Sequence, residues 1–179
     1  GRKHKLTDGW RKDMKFYSII HGAAVHMIDL VVWITDMLPL EVKAYGNQIS
    51  TRNSGMRYND YASILLKYET GLIAEVSVHG GCVHPHFHDV RVYGTESTFI
   101  NGIERGIWID SENHNIRSIK ENYPAKAERG NTIRSFVDSI VDKSLQPIVT
   151  VDDIFNAMSI CFATEKAIHS NTTTKIEYL

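Results

Sequence analysis

Two runs of alternating apolar and polar residues, joined by a short loop, constrain the fold of this chain most strongly. The runs span residues 62–68 and 72–78, and Glu69-Thr70-Gly71 lies between them. Alternation with a period of two places the apolar side chains on one face of a strand. A glycine in a short loop accepts the positive φ that tight turns require. The sequence therefore predicts an antiparallel hairpin with one covered face.

Further strand-like segments lie on both sides of this hairpin. Residues 40–50 alternate in the same way, and residues 83–93, 98–100 and 107–110 are predicted to form additional strands. Residues 175–179 are predicted to add a last short strand. The middle of the chain is therefore expected to be a meander of antiparallel strands.

Helical spacing of apolar residues marks the segments outside the strands. A first helix is predicted from residue 16 to about residue 36, closed by Pro39. A second is predicted over residues 133–141, with Asn131 or Thr132 as its cap.

A third helix follows Thr150 and Asp153, which resemble a capping box with Asp in place of Glu. Residues 1–15 are predicted to be irregular or extended. We expect a single α+β domain over residues 1–179, in which helices pack on one face of an open, mostly antiparallel β-sheet.

The composition excludes several classes of protein. Of the 179 residues, 42% are hydrophobic and 23% are charged, and the formal net charge is -1. Without a basic excess the chain is not expected to bind nucleic acid. The longest apolar stretch, residues 28–34, is interrupted by Asp29, so we expect no membrane partner. Cys82 and Cys161 are too few for a disulfide scaffold, which favours a cytoplasmic protein with Cys161 as a buried thiol.

His26 and Asp29 are the first candidate for chemistry. Residues three apart in a helix lie on one side of it. A carboxylate beside an imidazole fixes its tautomer and raises its pKa, so the pair can act as a general acid or base near neutral pH. The alternative is a structural pair, in which His26 caps the helix or packs in the core with Asp29 as its hydrogen-bond partner. The spacing leaves both interpretations open.

His84, His86 and His88 are the second candidate. They alternate along a predicted strand and would therefore point to one face, but alternate side chains lie about 7 Å apart, so all three do not fit one ion. No Glu lies within the run, and Pro85 indicates an edge or bulge. We predict no metal here, but a polar pocket wall or a subunit contact. The sequence also lacks G-x-G-x-x-G, H-E-x-x-H and G-x-S-x-G, so no complete cofactor site is predicted within it.

Several segments, taken in order, carry a family resemblance: Gly9-Trp10-Arg11, GAAVHMIDLVVWI at 22–34, LLKYETG at 65–71, VRVYGTE at 90–96, residues 135–147, Val151-Asp152-Asp153 and ATEKA at 163–167. With them the chain resembles the C-terminal domain of the Gfo/Idh/MocA oxidoreductases, the glucose-fructose oxidoreductase and inositol dehydrogenase family. No single segment is specific, but their order is, and the likeness spans nearly the whole chain.

The resemblance implies a larger protein whose N-terminal Rossmann domain binds NAD or NADP. The C-terminal domain then supplies an open sheet, the substrate pocket and the contact for a homodimer or homotetramer. In the family, an Asp and a His four residues apart support hydride transfer at a carbon of a sugar or polyol. The family His falls on His26 and is followed by Asp29, whereas the family Asp falls on Gly22, which has no side chain.

These implications lead to our site assignments. Catalysis is assigned to His26, as base or hydroxyl orienter, and to Asp29. Substrate contacts are assigned to polar and aromatic residues before and after this pair: His21, Trp10, Arg11 and His86. The domain alone is expected to be inactive. The alternatives are a non-catalytic ligand-binding or oligomerisation domain, favoured by Gly22, and a metalloprotein that uses the three alternating histidines.

Overall fold

The computed structural model of this chain describes residues 3–85, 87–111, 115–120 and 128–179. Its helices, in chain order, are α1 (Lys3–Thr7), α2 (Val25–Thr35), α3 (Arg129–Val141) and α4 (Val151–Ser170). Its strands are β1 (Glu41–Asn47), β2 (Tyr61–Lys67), β3 (Ile73–His79), β4 (Val90–Tyr93), β5 (Ser97–Asn101), β6 (Gly106–Asp110), β7 (Ile116–Ile119) and β8 (Thr174–Lys175).

The chain divides into two units by its internal contacts. The first unit is Gly1–Pro85 with Val149–Leu179, and the second is His86–Ile148. That the whole chain folds as a single domain stays a prediction.

The first unit is built on an antiparallel sheet with the strand order β3-β2-β1-β8. Ala44 on β1 lies opposite Ile64 on β2, which in turn lies opposite Val76 on β3, and all three side chains are buried. Helix α4 packs against β1 and α2 packs against α4, so helices and sheet share one core. Each fully buried aliphatic side chain of this core stabilises the fold by about 1.5–3 kcal/mol. The opposite face of the sheet is open.

The predicted hairpin is confirmed as β2 and β3, which pair from Tyr61 opposite His79 to Lys67 opposite Ile73. Gly71 turns the chain between them with a φ of 87°. This is the left-handed region that glycine enters without steric cost.

The prediction for residues 1–15 was wrong. They contain α1 and a 3₁₀ turn at Trp10–Asp13. Leu6 is only 4% exposed, and its Cδ1 atom lies 2.6 Å from the point that a Cβ of Gly80 would occupy. The short helix therefore depends on the docking of one leucine against the chain after β3, a tertiary contact that local sequence spacing does not reveal.

The helix ends of the first unit follow local rules. Helix α2 ends before Asp36, which is left-handed with a φ of 52°, so the chain turns before Pro39 is reached. The capping box of α4 is confirmed, because the Thr150 side chain accepts from the Asp153 N–H and the Asp153 carboxylate accepts from the Thr150 N–H. On α4, Cys161 is buried as predicted, and burial raises the pKa of its thiol to about 12.

The second unit holds an antiparallel sheet in the order β4-β5-β6-β7, together with α3. Of the strand predicted over 83–93, Val90–Tyr93 form a strand, whereas the described residues 83–85 and 87–89 do not. The proposed caps Asn131 and Thr132 were also wrong, since α3 begins at Arg129 and both residues lie inside it.

The described residues confirm the predicted fold class, α+β with open antiparallel sheets and helices, although the strands divide into two sheets. Within these residues no helix has the length and apolar content that crossing a membrane requires.

Candidate active site

The candidate site begins at a π-helical turn, Ile20–Ala24, directly before α2. π-Helical turns are rare in proteins, and many of those that occur lie at functional sites. Ser18 caps the start of the turn. Its Oγ accepts hydrogen bonds from the backbone N–H groups of Ile20 and His21, with N···O distances of 3.0 and 3.2 Å. The first helix predicted from the sequence therefore contains an irregular turn followed by a regular helix, and Gly22 lies at the middle of that turn.

Gly22 is in close contact with Tyr17. A Cβ atom built on Gly22 would lie 2.9 Å from the Tyr17 hydroxyl and 3.2 Å from the ring atoms Cζ and Cε2. Real Cβ atoms do not approach a neighbour at 2.9 Å, so a side chain at this position requires the phenol to move. The phenol of Tyr17 therefore fills the space that the first side-chain carbon atom at position 22 would need.

Trp10 and Arg11 connect the beginning of the chain to this contact. The Arg11 guanidinium lies 4.5 Å from the centre of the Trp10 ring, and the indole is 64% exposed. Burial raises the pKa of Tyr17, and the charge and hydrogen bond of Arg11 oppose this rise. Of the residues assigned to substrate contact, these two are brought next to each other.

His21 lies against α4. Its Nδ1 atom is 3.1 Å from Ser18 Oγ and 3.9 Å from Glu165 Oε1, and its ring centre is 5.0 Å from that of Phe162. Ser18 also donates a hydrogen bond to Glu165. Burial lowers the pKa of His21, while the Glu165 charge acts in the opposite direction. The Nε2 atom is buried and has no hydrogen-bond partner among the described residues.

His26 and Asp29 lie on α2, and both residues are exposed. His26 is therefore not packed in the core, whereas its role as a structural cap stays an alternative. Although Asp29 as a whole is exposed, burial of its carboxyl group raises the pKa of Asp29, and the charge of Asp153 raises it further. The charge of His26 lowers the pKa of Asp29. A carboxyl group with a raised pKa keeps its proton to a higher pH than an ordinary carboxyl group does.

The alternating histidines do not form a comparable group. His86 lies outside the described residues. His84 is exposed, with Nδ1 2.9 Å from the carbonyl oxygen of Pro85. In residues 3–85, 87–111, 115–120 and 128–179, no three His, Cys, Asp or Glu side chains are placed to hold a metal ion.

Three residues of the site were missed by the sequence analysis: Tyr17, Ser18 and Glu165. The first two lie in the predicted helix but outside its apolar pattern. Glu165 belongs to the family-like segment at 163–167, but nothing in the sequence indicates that it meets Ser18 and His21.

The fold and this helix together define an α+β domain with open antiparallel sheets, in which an irregular turn precedes the helix that carries the site. A family model described as "GFO/IDH/MocA C-terminal domain" matches residues 2–100, more than half of the chain. The chain belongs to this family. No match was found among curated proteins.

Solved structures agree in fold. A Desulfitobacterium hafniense protein described as an NADPH-dependent oxidoreductase is 15% identical, with a TM-score of 0.76 over 97% of this chain and 54% of its own. Levoglucosan dehydrogenase in complex with NADH is 10% identical, with a TM-score of 0.73 over 88% and 50%. An Agrobacterium radiobacter oxidoreductase in complex with NAD+, L-tartaric acid and magnesium is 14% identical, with a TM-score of 0.72 over 88% and 48%. The chain thus spans about half the length of these proteins.

Proposed function

We propose that this chain is the C-terminal substrate-binding and oligomerisation part of an NAD(P)-dependent oxidoreductase that acts on a secondary alcohol of a sugar or polyol. The observation that carries the proposal is the exposed, electrostatically coupled pair His26 and Asp29, directly after a π-helical turn, in a chain of this family. Relatives bound to NADH or to NAD+ with L-tartaric acid support the cofactor and substrate class.

Proton transfer is the task of the pair on α2. Oxidation of an alcohol requires a base for the hydroxyl proton, and an exposed imidazole can accept it at a ring nitrogen. We assign this role to His26. Asp29 lies on the same helix, and its carboxylate stabilises the imidazolium that forms. Loss of a general base costs about 10²–10⁴ in rate, so His26 accounts for a substantial part of the catalysis.

The nicotinamide would supply the hydride acceptor or donor. The described residues do not fit a dinucleotide by themselves, because no strand passes through a glycine-rich turn into a helix N-terminus among them. We therefore assign NAD or NADP to another domain of the natural protein. The expectation that this domain alone is inactive follows from that assignment.

The open face of the first sheet is the proposed site of self-association. Tyr45 on β1, Leu65 on β2 and Ile73 on β3 are all exposed on it. Polar and charged residues lie directly opposite them, such as Lys43 and Glu75 opposite Leu65, so the three apolar side chains are diagonal neighbours. Apolar side chains on an uncovered sheet face favour contact with a second copy. We propose a homodimer or homotetramer that forms through this face, in the cytoplasm.

A second candidate function is a non-catalytic ligand-binding or oligomerisation domain. Gly22 favours it, because a position that carries the acid of the family has no side chain, and the Tyr17 ring fills the adjoining space. The two candidates differ in one property, the turnover of a sugar or polyol with a nicotinamide.

The test is made on the natural protein that contains this chain, purified and screened with sugars and polyols for a change in nicotinamide absorbance. We expect oxidation of at least one substrate of this class. Binding of such a compound without turnover would establish the second candidate instead.

A further inference from the structure

Tyr17 is a buried aromatic residue to which the proposed mechanism gives no task. We infer that its hydroxyl group donates a hydrogen bond to a substrate oxygen beside the π-helical turn, and that it selects substrates with an acceptor oxygen at this point. The inference rests on the proposed function and adds a specificity-determining residue to it.

The position of the hydroxyl is fixed by the helix. Tyr17 is 9% exposed, and its oxygen lies 2.9 Å from the point where a Cβ of Gly22 would lie. Gly22 is itself exposed. The phenol is therefore held next to a stretch of helix surface that has no side chain. Gly22 lies four residues before His26, which is about one helical turn. A substrate oxygen lying over Gly22 meets the hydroxyl without an intervening group.

Hydrogen-bond chemistry leaves the phenol proton available. Burial raises the pKa of Tyr17, so the hydroxyl keeps its proton at neutral pH. The positive charge of Arg11 acts on the pKa of this group in the opposite direction to burial. A guanidinium has donors but no acceptor, so Arg11 does not compete for the phenol proton. Its positive charge strengthens donation of that proton to a substrate oxygen.

The surroundings of this donor fit a carbohydrate. Arg11 lies over the ring of Trp10, and that ring is largely exposed. An exposed aromatic face suits the C–H face of a sugar or polyol, while the hydroxyl and the guanidinium suit its oxygens. We therefore assign an uncharged, oxygen-rich small molecule to the surface formed by Trp10, Arg11, Tyr17 and Gly22.

The first test is a binding measurement, which does not depend on turnover. The natural protein, saturated with NAD+, is titrated with myo-inositol and with D-glucose by calorimetry, as wild type and as Tyr17→Phe. Tyr17→Phe loses one hydrogen bond, so the Kd of at least one probe is expected to be about tenfold higher than in the wild type. Tyr93→Phe, at an exposed position on β4, also removes a phenol oxygen and is expected to leave the Kd unchanged. Equal affinities of wild type and Tyr17→Phe, or no binding of either probe, overturn the inference.

The second test uses the contact with Gly22. In Gly22→Ala the new methyl group must displace the Tyr17 ring, so binding is expected to weaken about as much as in Tyr17→Phe. In the double variant the hydroxyl is already gone, so the two effects are not expected to add. Additive losses show that Gly22 acts independently of the hydroxyl and overturn the inference. Should Gly22→Ala not fold, Tyr17→Phe, which removes a single atom, decides alone.

Failure of this inference is distinct from failure of the proposed function. A wild-type protein that binds a probe more tightly than Tyr17→Phe but never reduces NAD+ contradicts the oxidoreductase and supports the donor. A wild-type protein that turns over substrate with the same KM as Tyr17→Phe supports the oxidoreductase and contradicts the donor.

Discussion

The imidazole of His21 lies 3.9 Å from the carboxylate of Glu165, so the turn before α2 is tied to α4 by a titratable contact. Ser18 connects the same two residues through its hydroxyl group, and Phe162 covers the ring. The other Glu165 oxygen lies 3.9 Å from His169. Burial is the largest influence on the pKa of His21 and lowers it, against the charge of Glu165.

Stability is expected to fall as the pH decreases through the titration range of His21. Its pKa in the folded protein is below the ordinary value of 6.5, so the unfolded chain binds the proton more tightly. The contribution of this residue is complete above 6.5 and is lost between 6.5 and the lower pKa of the folded state. Thermal unfolding at a series of pH values should show a lower Tm across this interval, and His21→Gln should reduce the slope. The exposed His4→Gln is the matched control, and an equal slope in wild type and His21→Gln contradicts the assignment.

Glu165→Gln is expected to lower the pKa of His21 further. The carboxylate favours the protonated imidazole, and the amide removes that charge while retaining an oxygen to accept the Ser18 hydrogen bond. Nuclear magnetic resonance titration of the imidazole protons measures the pKa directly. A pKa that rises, or that stays within experimental error, would show that the 3.9 Å contact has no electrostatic effect.

The fold was more predictable than the site, for a physical reason. The β2–β3 hairpin and the capping box at Thr150 depend on neighbours within a few residues, and both were predicted correctly. The contact of Tyr17 with Gly22 depends on how the chain enters a π-helical turn, which apolar spacing does not reveal. The association of His21 with Glu165 joins distant parts of the chain, so only the packed structure brings them together.

Gly71 is expected to be required for the hairpin. Its φ of 87° is unfavourable for any residue with a Cβ, so Gly71→Ala should destabilise the protein by about 1 kcal/mol, even though nothing lies within 4 Å of the added atom. Gly55→Ala is the matched control, because it also has nothing within 4 Å and has no such φ. Denaturant unfolding of both variants gives the comparison. Equal stabilities would mean that the turn relaxes without cost.

Leu65→Glu is expected to disrupt the proposed oligomer. Leu65 is exposed on the open sheet face, and it lies opposite Lys43 on one neighbouring strand and Glu75 on the other. In the monomer, the new carboxylate is attracted by Lys43 and repelled by Glu75, so the fold should be nearly unchanged. In the oligomer, the same carboxylate would be buried between two copies of the sheet face, which is unfavourable. Sedimentation should show a shift to monomer. Val141→Glu, at an exposed position on α3, should retain the wild-type state, and an oligomer that survives Leu65→Glu excludes this face.

His26→Ala should reduce the turnover of the natural protein by about 10² or more, the scale of a lost general base. Because His26 is exposed, the substitution leaves the core intact, and the Tm should change little. His4→Ala removes another exposed imidazole and should retain full activity. The pKa of Asp29 gives a second readout. The charge of His26 lowers this pKa, so the pKa should rise further in His26→Ala. Asp29→Asn should reduce turnover less than His26→Ala does. Undiminished kcat/KM in His26→Ala would require that another residue accepts the hydroxyl proton, and His21, with its buried Nε2, would be the next to substitute.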